Sequence, residues 1–190
     1  MLTNNDIEEL APRMGIPLAM VDFKDMLPKK LETNKLYVLN LEDEQDKESL
    51  EINGGSHWVG LQIRSYPNGK KPEAMYFDSY GKPPPKVVKQ RVKENFDIET
   101  HYPTKDVQSL VNNACGFYVL AWGHFINDPR FKSGGSLEDD TLFFLHPFVD
   151  LNKSNDFQQN EYILKHFFQA KDPNLRKEIP LPPIVSSEKT

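Results

Sequence analysis

The sequence contains a single cysteine, Cys115, among its 190 residues. One cysteine excludes an internal disulfide and any metal site built from several thiolates. The five histidines do not fall at the spacing of metal ligands. We therefore expect no metal and no other cofactor, and any chemistry at the cysteine must come from a free thiol.

Long apolar runs and an excess of basic residues are also missing. No stretch reaches the roughly 18 consecutive apolar residues of a membrane span, and the first residues lack the basic and then apolar pattern of a signal peptide. The formal net charge of -5 argues against a general affinity for nucleic acids. We expect a protein without a membrane anchor, intracellular or packaged in a particle.

One basic segment leaves nucleic-acid binding open. The segment over 82–93 carries five basic side chains, Lys82, Lys86, Lys89, Arg91 and Lys93. Such a run is more often the solvated face of a helix than a binding patch. We interpret it as a helix face, and binding of nucleic acid stays an open question.

The composition is that of one globular domain with a tail. Apolar residues make up 38% of the sequence and charged residues 27%, which is typical of a soluble globular protein. The length suits a single domain with a real core. Four prolines fall within 172–190, too many for regular structure. We predict one domain over 1–171 and a C-terminal tail over 172–190.

The most apolar segment of the chain, 113–127, carries the cysteine. Asn112 and Asn113 precede its apolar run, and Pro129 follows it, a pattern that predicts a buried helix with an Asn cap and a Pro-enforced end. Cys115 then lies in the first turn, where the helix dipole favours a thiolate. The alternative is a buried Cys115 that only fills space, because free cysteine is among the most buried residue types.

A second feature is a predicted β-hairpin. Apolar strands over 57–63 and 74–78 flank Asn68-Gly69, the dipeptide of a tight hairpin turn. If this pair forms the turn, Asp78 lies opposite Val59 and diagonal to His57 on the same face. Diagonal neighbours are about 7–8 Å apart, within reach of an imidazole and a carboxylate.

The remaining pattern predicts further helices and strands. We expect a helix capped by the Thr3 to Asp6 segment and ending at Gly15, and a connecting segment before the next strand. The other predicted elements are strands over 35–41 and 98–102, helices over 86–96, 137–149 and 156–170, and loops over 42–51 and 132–136.

These residues can be assembled into a hydrolytic site. A thiol is mostly protonated at neutral pH, so it needs a neighbouring base, and the base needs a partner that fixes its tautomer. Cys115, His57 and Asp78 can fill these roles, and the Gln108 amide can stabilise an oxyanion. Each residue alone has an ordinary alternative: a core histidine, a turn aspartate and a loop glutamine.

The joint pattern resembles a known family. The motifs are Gly54-Gly55-Ser56-His57-Trp58, Tyr76-Phe77-Asp78-Ser79-Tyr80-Gly81, Gln108, and Asn113-Ala114-Cys115-Gly116-Phe117. Together they resemble the adenovirus-type maturation cysteine protease, adenain, which belongs with the SUMO-protease-like peptidases. The resemblance covers about residues 5–130, and the size resembles the branch encoded by virophages and Maverick-type elements.

The resemblance implies a fold and a site. The implied fold class is α+β, a papain-like cysteine protease of adenain type with a central, mostly antiparallel sheet packed against the helix that carries the cysteine. Cys115 would be the nucleophile, His57 the general base and acid, Asp78 its orienter and Gln108 an oxyanion donor. Trp58 would wall the substrate channel, although an aromatic residue on a strand is almost as often part of the core.

The resemblance also implies a function. The first expectation is a viral endopeptidase that cleaves capsid or scaffold precursors during virion maturation, after Gly-Gly-type sites, in the virion and the infected host cell. The alternatives are an isopeptidase that removes ubiquitin-like modifiers and an inactive binding module. Adenoviral members have a glutamate where this chain has Asp78, and they use DNA and a disulfide-linked peptide as activators. Because Cys115 has no partner cysteine, any activating peptide must bind non-covalently.

Overall fold

The computed structural model describes residues 1–43, 57–110, 113–130 and 135–171, with side chains up to residue 168. These residues form an α+β fold with a mixed five-stranded sheet and five α-helices. The elements in chain order are α1 (Asn4–Arg13), β1 (Leu18–Phe23), a 3-10 helix (Lys24–Met26), β2 (Leu36–Asn40), β3 (Trp58–Arg64), β4 (Glu73–Phe77), α2 (Lys86–Phe96), β5 (Thr100–His101), α3 (Cys115–Asn127), α4 (Leu137–Leu145) and α5 (Phe157–Lys171).

The sheet follows the order of the strands in the sequence, β1-β2-β3-β4-β5. The inner pairs, β2 with β3 and β3 with β4, are antiparallel. The outer pairs, β1 with β2 and β4 with β5, are parallel. The sheet is therefore mixed where a mostly antiparallel sheet was predicted, and the antiparallel pairs lie at its centre. Parallel neighbours require a crossover connection, which the segment after β1 and the helix α2 provide.

The hairpin of β3 and β4 has the predicted register. Gly60 pairs with Phe77 and Leu61 with Tyr76, as expected for a turn at Asn68-Gly69. Asn68 has a φ of 65° and Gly69 a φ of 70°, the left-handed conformation that tight hairpin turns require and that Asn and Gly tolerate best. The turn sequence thus fixes which residues leave β3 and β4 at the same end.

The sheet is buried on both faces. On one face, α1, α3, α4 and α5 pack against side chains such as Val38, Trp58 and Phe77. On the other face, α2 contributes Val88 and Val92 to a smaller cluster that includes residues of β2, β3 and β4. Every residue of β3 is buried, so this strand lies at the centre of a three-layer arrangement.

Helix α3 lies deepest in the molecule, with every residue from Cys115 to Ile126 buried. It ends at Asn127, and Asp128 and Pro129 follow directly, as predicted. The predicted Asn cap was wrong, because Ala114 occupies the N-cap position and supplies no capping side chain. Asn113 precedes the cap and is exposed, and Asn112 lies outside the described residues.

A buried ion pair connects the sheet to two helices. Arg64, the last residue of β3, lies 2.7 Å from the Asp140 carboxylate of α4. The same guanidinium donates a hydrogen bond to the Ile126 carbonyl of α3 at 2.9 Å. A planar guanidinium can serve two acceptors at once, so Arg64 holds the ends of α3 and α4 against the sheet. The sequence pattern gave no signal for this pair.

Most other predicted elements are present. The capping box between Thr3 and Asp6 begins α1, and the helix predicted over 86–96 is α2. Strand β5 and helix α4 are shorter than predicted. The connecting segment after Gly15 was predicted without a strand, yet it contains β1, which pairs in parallel with β2.

Some predictions fall outside the described residues. These are the C-terminal tail over 172–190 and most of the loops over 42–51 and 132–136. Within the part of the chain that the structure describes, no helix is both long and apolar enough to span a membrane.

We expect the substitution Gly60→Ala to destabilise the fold. A Cβ atom at Gly60 would lie 2.8 Å from the Trp122 ring of α3. That ring cannot move aside, because it stacks on Phe77 and donates a hydrogen bond to Thr141. Overpacking of this kind costs about 1–3 kcal/mol, which urea unfolding would measure.

The matched control is Gly123→Ala on α3. Its Cβ would meet the terminal methyl group of Leu36 at 2.7 Å, which a rotamer change can relieve, and alanine favours the helix by about 1 kcal/mol. We expect the free energy of unfolding of this variant to be close to that of the wild type. Equal losses of stability in the two variants would contradict the view that the rigid Trp122 contact sets the spacing of helix and sheet.

Candidate active site

The predicted His57 and Asp78 lie together at one end of the hairpin. His57 directly precedes β3 and Asp78 directly follows β4, so the antiparallel pairing brings them side by side. The His57 Nε2 atom lies 2.7 Å from the Asp78 Oδ1 atom. Both residues are buried. An ionised carboxylate only accepts hydrogen bonds, so Nε2 carries the proton of this bond.

Cys115 lies on the other side of the imidazole. It is the first residue of α3 and only 1% exposed. The Cys115 side chain lies close enough to the His57 ring to raise the pKa of the imidazole, and the Trp58 backbone N–H donates to the Cys115 Sγ atom at 3.5 Å. Because Nε2 is used by Asp78, the Nδ1 atom is the ring nitrogen left for the thiol. The three predicted residues therefore form a continuous chain of contacts.

This arrangement favours a protonated imidazole. Burial by itself lowers the pKa of His57, but hydrogen bonds to Asp78 and Cys115, and the negative charges of both groups, outweigh it. Together they raise the pKa of His57 from its ordinary 6.5 to about 9. At neutral pH the ring is then an imidazolium, held between the side chains of Asp78 and Cys115.

Gln108 is held by a residue that the sequence reasoning did not assign. The Ser79 hydroxyl donates a hydrogen bond of 2.5 Å to the Gln108 Oε1 atom. The Ser79 carbonyl also accepts from the backbone N–H groups of Val107 and Gln108 at 2.8 and 3.2 Å. With its oxygen bound to Ser79, the amide of Gln108 presents its NH₂ group from the opposite end.

Hydrogen bonds with other elements hold the loop that carries Gln108 in place. The Val107 carbonyl accepts hydrogen bonds from the Tyr118 hydroxyl of α3 and from the Asn160 amide of α5, both at 3.1 Å. Leu151 donates its backbone N–H to the Asp106 carbonyl at 2.8 Å. These contacts hold a loop that precedes the cysteine helix, and none of them follows a short-range sequence pattern.

Tyr80 is the second residue that the sequence reasoning missed. Its ring stacks on the His57 ring with a centroid distance of 4.5 Å and an interplanar angle of 20°. Its backbone N–H donates to the Asp78 Oδ1 atom at 2.8 Å, the same oxygen that binds His57. In the sequence, only its position directly after Asp78-Ser79, in the motif from Tyr76 to Gly81, indicated that Tyr80 could lie near His57.

Trp58 lies in the core and does not wall an open channel. Its side chain is 1% exposed, and its Nε1–H donates to the Leu2 carbonyl at 2.9 Å. A Cβ atom at Gly116 would lie 3.4 Å from the indole ring. The predicted role in substrate binding does not fit this placement, because the side chain points inward from β3 and packs beneath the start of α3. Trp58 is placed as in the alternative interpretation, in which an aromatic residue on a strand is part of the core.

Metal binding finds no support in the geometry of the described residues. Among them, no group of three or more His, Cys, Asp or Glu side chains could hold a metal ion. The side chains brought together carry a thiol, an imidazole, a carboxylate and an amide, which is a set suited to acyl transfer.

Solved structures include several chains that are similar to this one. No protein-family model and no curated protein matches this chain. The crystal structure of the ASFV pS273R protease is similar to it, with 21% sequence identity and a TM-score of 0.42. The match covers 78% of this chain and 68% of that chain. Similarity at this level carries no functional argument.

We expect Asp78→Asn to lower the pKa of His57 by at least about one unit, because the substitution removes the negative charge that stabilises the imidazolium. Asparagine keeps the acceptor oxygen for His57 and Tyr80, so the geometry is retained. NMR titration of the purified protein would measure the pKa, with His57→Gln used to assign the signal.

The matched control is Asp97→Asn. Asp97 is exposed and ends α2 in the left-handed conformation that asparagine also tolerates. The pKa of His57 should not change in this variant. An unchanged pKa in Asp78→Asn would mean that the carboxylate does not govern the protonation of the imidazole.

Proposed function

We propose that this protein is a cysteine protease in which Cys115 attacks the scissile peptide bond. The observation that carries the proposal is the buried His57 imidazole, which is bonded to Asp78 at 2.7 Å and has Cys115 as its other neighbouring titratable group. A thiol next to an oriented imidazole is the minimum unit for nucleophilic cysteine catalysis. The location of Cys115 at the N-terminus of α3 adds the favourable dipole of the helix.

The acylation step uses this unit as a thiolate and imidazolium pair. The Cys115 Sγ atom forms a bond to the carbonyl carbon, and the electron pair of the C=O bond moves to the oxygen. The backbone N–H of Cys115 and the NH₂ group of Gln108 are the proposed donors to this oxyanion. When the C=O bond re-forms, the C–N bond breaks and His57 transfers its Nδ1 proton to the departing amine.

Deacylation regenerates the enzyme. The neutral His57 takes a proton from a water molecule as its oxygen bonds to the acyl carbon. The second tetrahedral intermediate then expels the Cys115 thiolate, which leaves a carboxylic acid product and an imidazolium. Asp78 keeps Nε2 protonated throughout, so Nδ1 is the atom that gives and receives protons.

We propose capsid or scaffold precursors as the substrates, cleaved during virion maturation. The support for this narrower statement is the resemblance of the Gly-Gly-x-His-Trp, Asp78 and Cys115 motifs to the adenain family. An isopeptidase that removes ubiquitin-like modifiers would use the same four groups. Any activating peptide would bind non-covalently, because a disulfide to Cys115 would block the nucleophile.

We expect Cys115→Ala and His57→Ala each to abolish cleavage while the protein remains folded. Gln108→Ala should reduce turnover by about 10²–10³, the cost of removing one oxyanion donor. The purified chain would be incubated with precursor proteins and, separately, with ubiquitin-like conjugates, and the cuts located by mass spectrometry. Ser136→Ala, which removes the N-cap of α4 far along the chain, is the control that should keep activity.

Two outcomes would count against this assignment. Full activity of Cys115→Ala would end the protease proposal. Cleavage of the ubiquitin-like conjugates with intact precursors would leave the chemistry in place and replace the maturation role by the isopeptidase role.

We expect cleavage after small residues, of the Gly-Gly or Gly-x-Gly type. The expectation follows from the family resemblance, in which a narrow channel above the nucleophile excludes side chains on the acyl side. A peptide library that varies the two residues before the cut would measure kcat/KM for each sequence. A preference for bulky side chains immediately before the cut would be incompatible with a narrow channel.

A further inference from the structure

We infer that Asn160, a buried residue of α5, is a positioning residue for the proposed oxyanion donor Gln108. The inference deepens the proposed protease function and rests on it where turnover is measured. Asn160 requires no contact with the substrate in this role. It acts through the loop that carries Gln108, so helix α5 takes part in building the site.

The Asn160 carboxamide bridges two segments of backbone. Its Oδ1 atom accepts a hydrogen bond from the Val149 N–H at 2.7 Å. Its NH₂ group donates to the Val149 carbonyl at 2.7 Å and to the Val107 carbonyl at 3.1 Å. The side chain is 0% exposed, so its removal would take these partners from backbone groups that lie away from water, which is costly.

The chemistry of these partners selects asparagine at position 160. One acceptor faces an N–H group, and two donors on the same nitrogen face two carbonyls. Aspartate has the same shape, but it would place an acceptor oxygen against both carbonyls. Leucine has a similar size, but it offers neither a donor nor an acceptor. A carboxamide is the side-chain group that matches all three partners at this distance from the helix.

The peptide group that joins Val107 to Gln108 is held at both ends. Its carbonyl accepts from the Tyr118 hydroxyl and from the Asn160 NH₂ group, each at 3.1 Å. Its N–H, which belongs to Gln108, donates to the Ser79 carbonyl at 3.2 Å. Because a peptide group is planar, hydrogen bonds at its two ends fix the direction in which the chain enters Gln108. The Gln108 side chain therefore starts from a fixed position.

The segment before α5 pairs with the same loop. The Leu151 N–H donates to the Asp106 carbonyl at 2.8 Å, and the Asp106 N–H donates to the Asp150 carboxylate at 3.4 Å. Asn160 closes this pairing, because it binds both backbone groups of Val149 and also the loop. A displacement of α5 would therefore be transmitted to the loop.

The role of an oxyanion donor makes its position critical. Such a donor acts at about 2.7–3.1 Å from the oxyanion, and a misplacement of about 1 Å can cost about 100-fold in rate. Because the donor is needed in the transition state, its misplacement lowers kcat and changes KM little. A buried asparagine that only stabilises the fold would instead lower the free energy of unfolding and leave the kcat of the folded enzyme unchanged.

The first experiment measures Asn160→Ala in the full chain, with a fluorogenic peptide amide that has Gly-Gly before the coumarin group. We expect kcat to fall by about 10–100-fold, with KM within about threefold of the wild type. In the Gln108→Ala background the same substitution should cost less than about twofold, because no donor amide remains to be misplaced. Tyr118→Phe, which removes the other donor to the Val107 carbonyl, should lower kcat in the same way and serves if Asn160→Ala does not fold.

The matched control is Asn127→Ala. The Asn127 carboxamide exchanges hydrogen bonds with Gln62 at 2.8 and 2.9 Å and donates to the Gly123 carbonyl at 2.8 Å, so a comparable set of contacts is removed. Asn127 is the last residue of α3 and Cys115 the first, which places the two about 18 Å apart at 1.5 Å per residue. The control should unfold more easily and keep the kcat of the wild type.

The second experiment requires no activity. The backbone N–H groups of Val107 and Gln108 donate to the Ser79 carbonyl, so their hydrogen exchange, measured by NMR, reports how firmly the loop is held. In Asn160→Ala the exchange of both groups should accelerate by at least about tenfold relative to the N–H groups of β3. In Asn127→Ala it should accelerate no more than that of β3.

The outcomes separate this inference from the proposed function. If the wild type cleaves neither the probe nor the precursor proteins, the protease proposal fails, and the exchange at Val107 and Gln108 still decides whether Asn160 holds the loop. An equal loss of kcat in the Gln108→Ala background would overturn the inference, because Asn160 would then act on another part of the site. Unchanged kcat and unchanged exchange in Asn160→Ala would overturn it as well.

Discussion

The packing of α3 against β3 is the constraint on which the rest of the structure depends. Gly60 lets the helix approach the strand until the Trp122 ring lies in contact with the backbone. This close contact runs along the helix to its N-terminus, where Trp58 and Cys115 meet. Because both partners are buried and rigid, Cys115 cannot move away from the hairpin that carries His57. The site is therefore a product of core packing and not of flexible loops.

The contacts between His57, Asp78 and Cys115 could be predicted because short-range signals fix each position. The Asn68-Gly69 turn sets the register of β3 and β4, and the long apolar run of α3 identifies a buried helix. The contacts of Gln108 with Ser79 and of Tyr80 with His57 could not be predicted. They depend on the turn after β4 and on a loop held by distant residues, for which no periodic pattern exists.

The predictions that differ from the structure also have physical causes in tertiary contacts. β1 is an edge strand with partly exposed side chains, and its apolar run of four residues, Leu18 to Val21, is too short to distinguish a strand from a connecting segment. The parallel pairing of β1 with β2 and of β4 with β5 follows from crossover connections, which local sequence does not encode. Trp58 was expected beside the substrate because it follows the base, but alternation along β3 turns it toward the core. In each case tertiary placement overrode a local expectation.

The missing Asn cap of α3 agrees with the chemistry proposed for the site. An asparagine at the N-cap would direct its side-chain oxygen to the first backbone N–H groups of the helix. Those donors are the ones that an oxyanion beside Cys115 would need. Ala114 at the N-cap offers no such oxygen, so helix stability is given up where the donors are to act on a substrate. The charges of the proposed mechanism lead to the same conclusion. In the proposed thiolate and imidazolium pair, the Asp78 carboxylate leaves a net negative charge, and the positive end of the α3 dipole lies directly beside it.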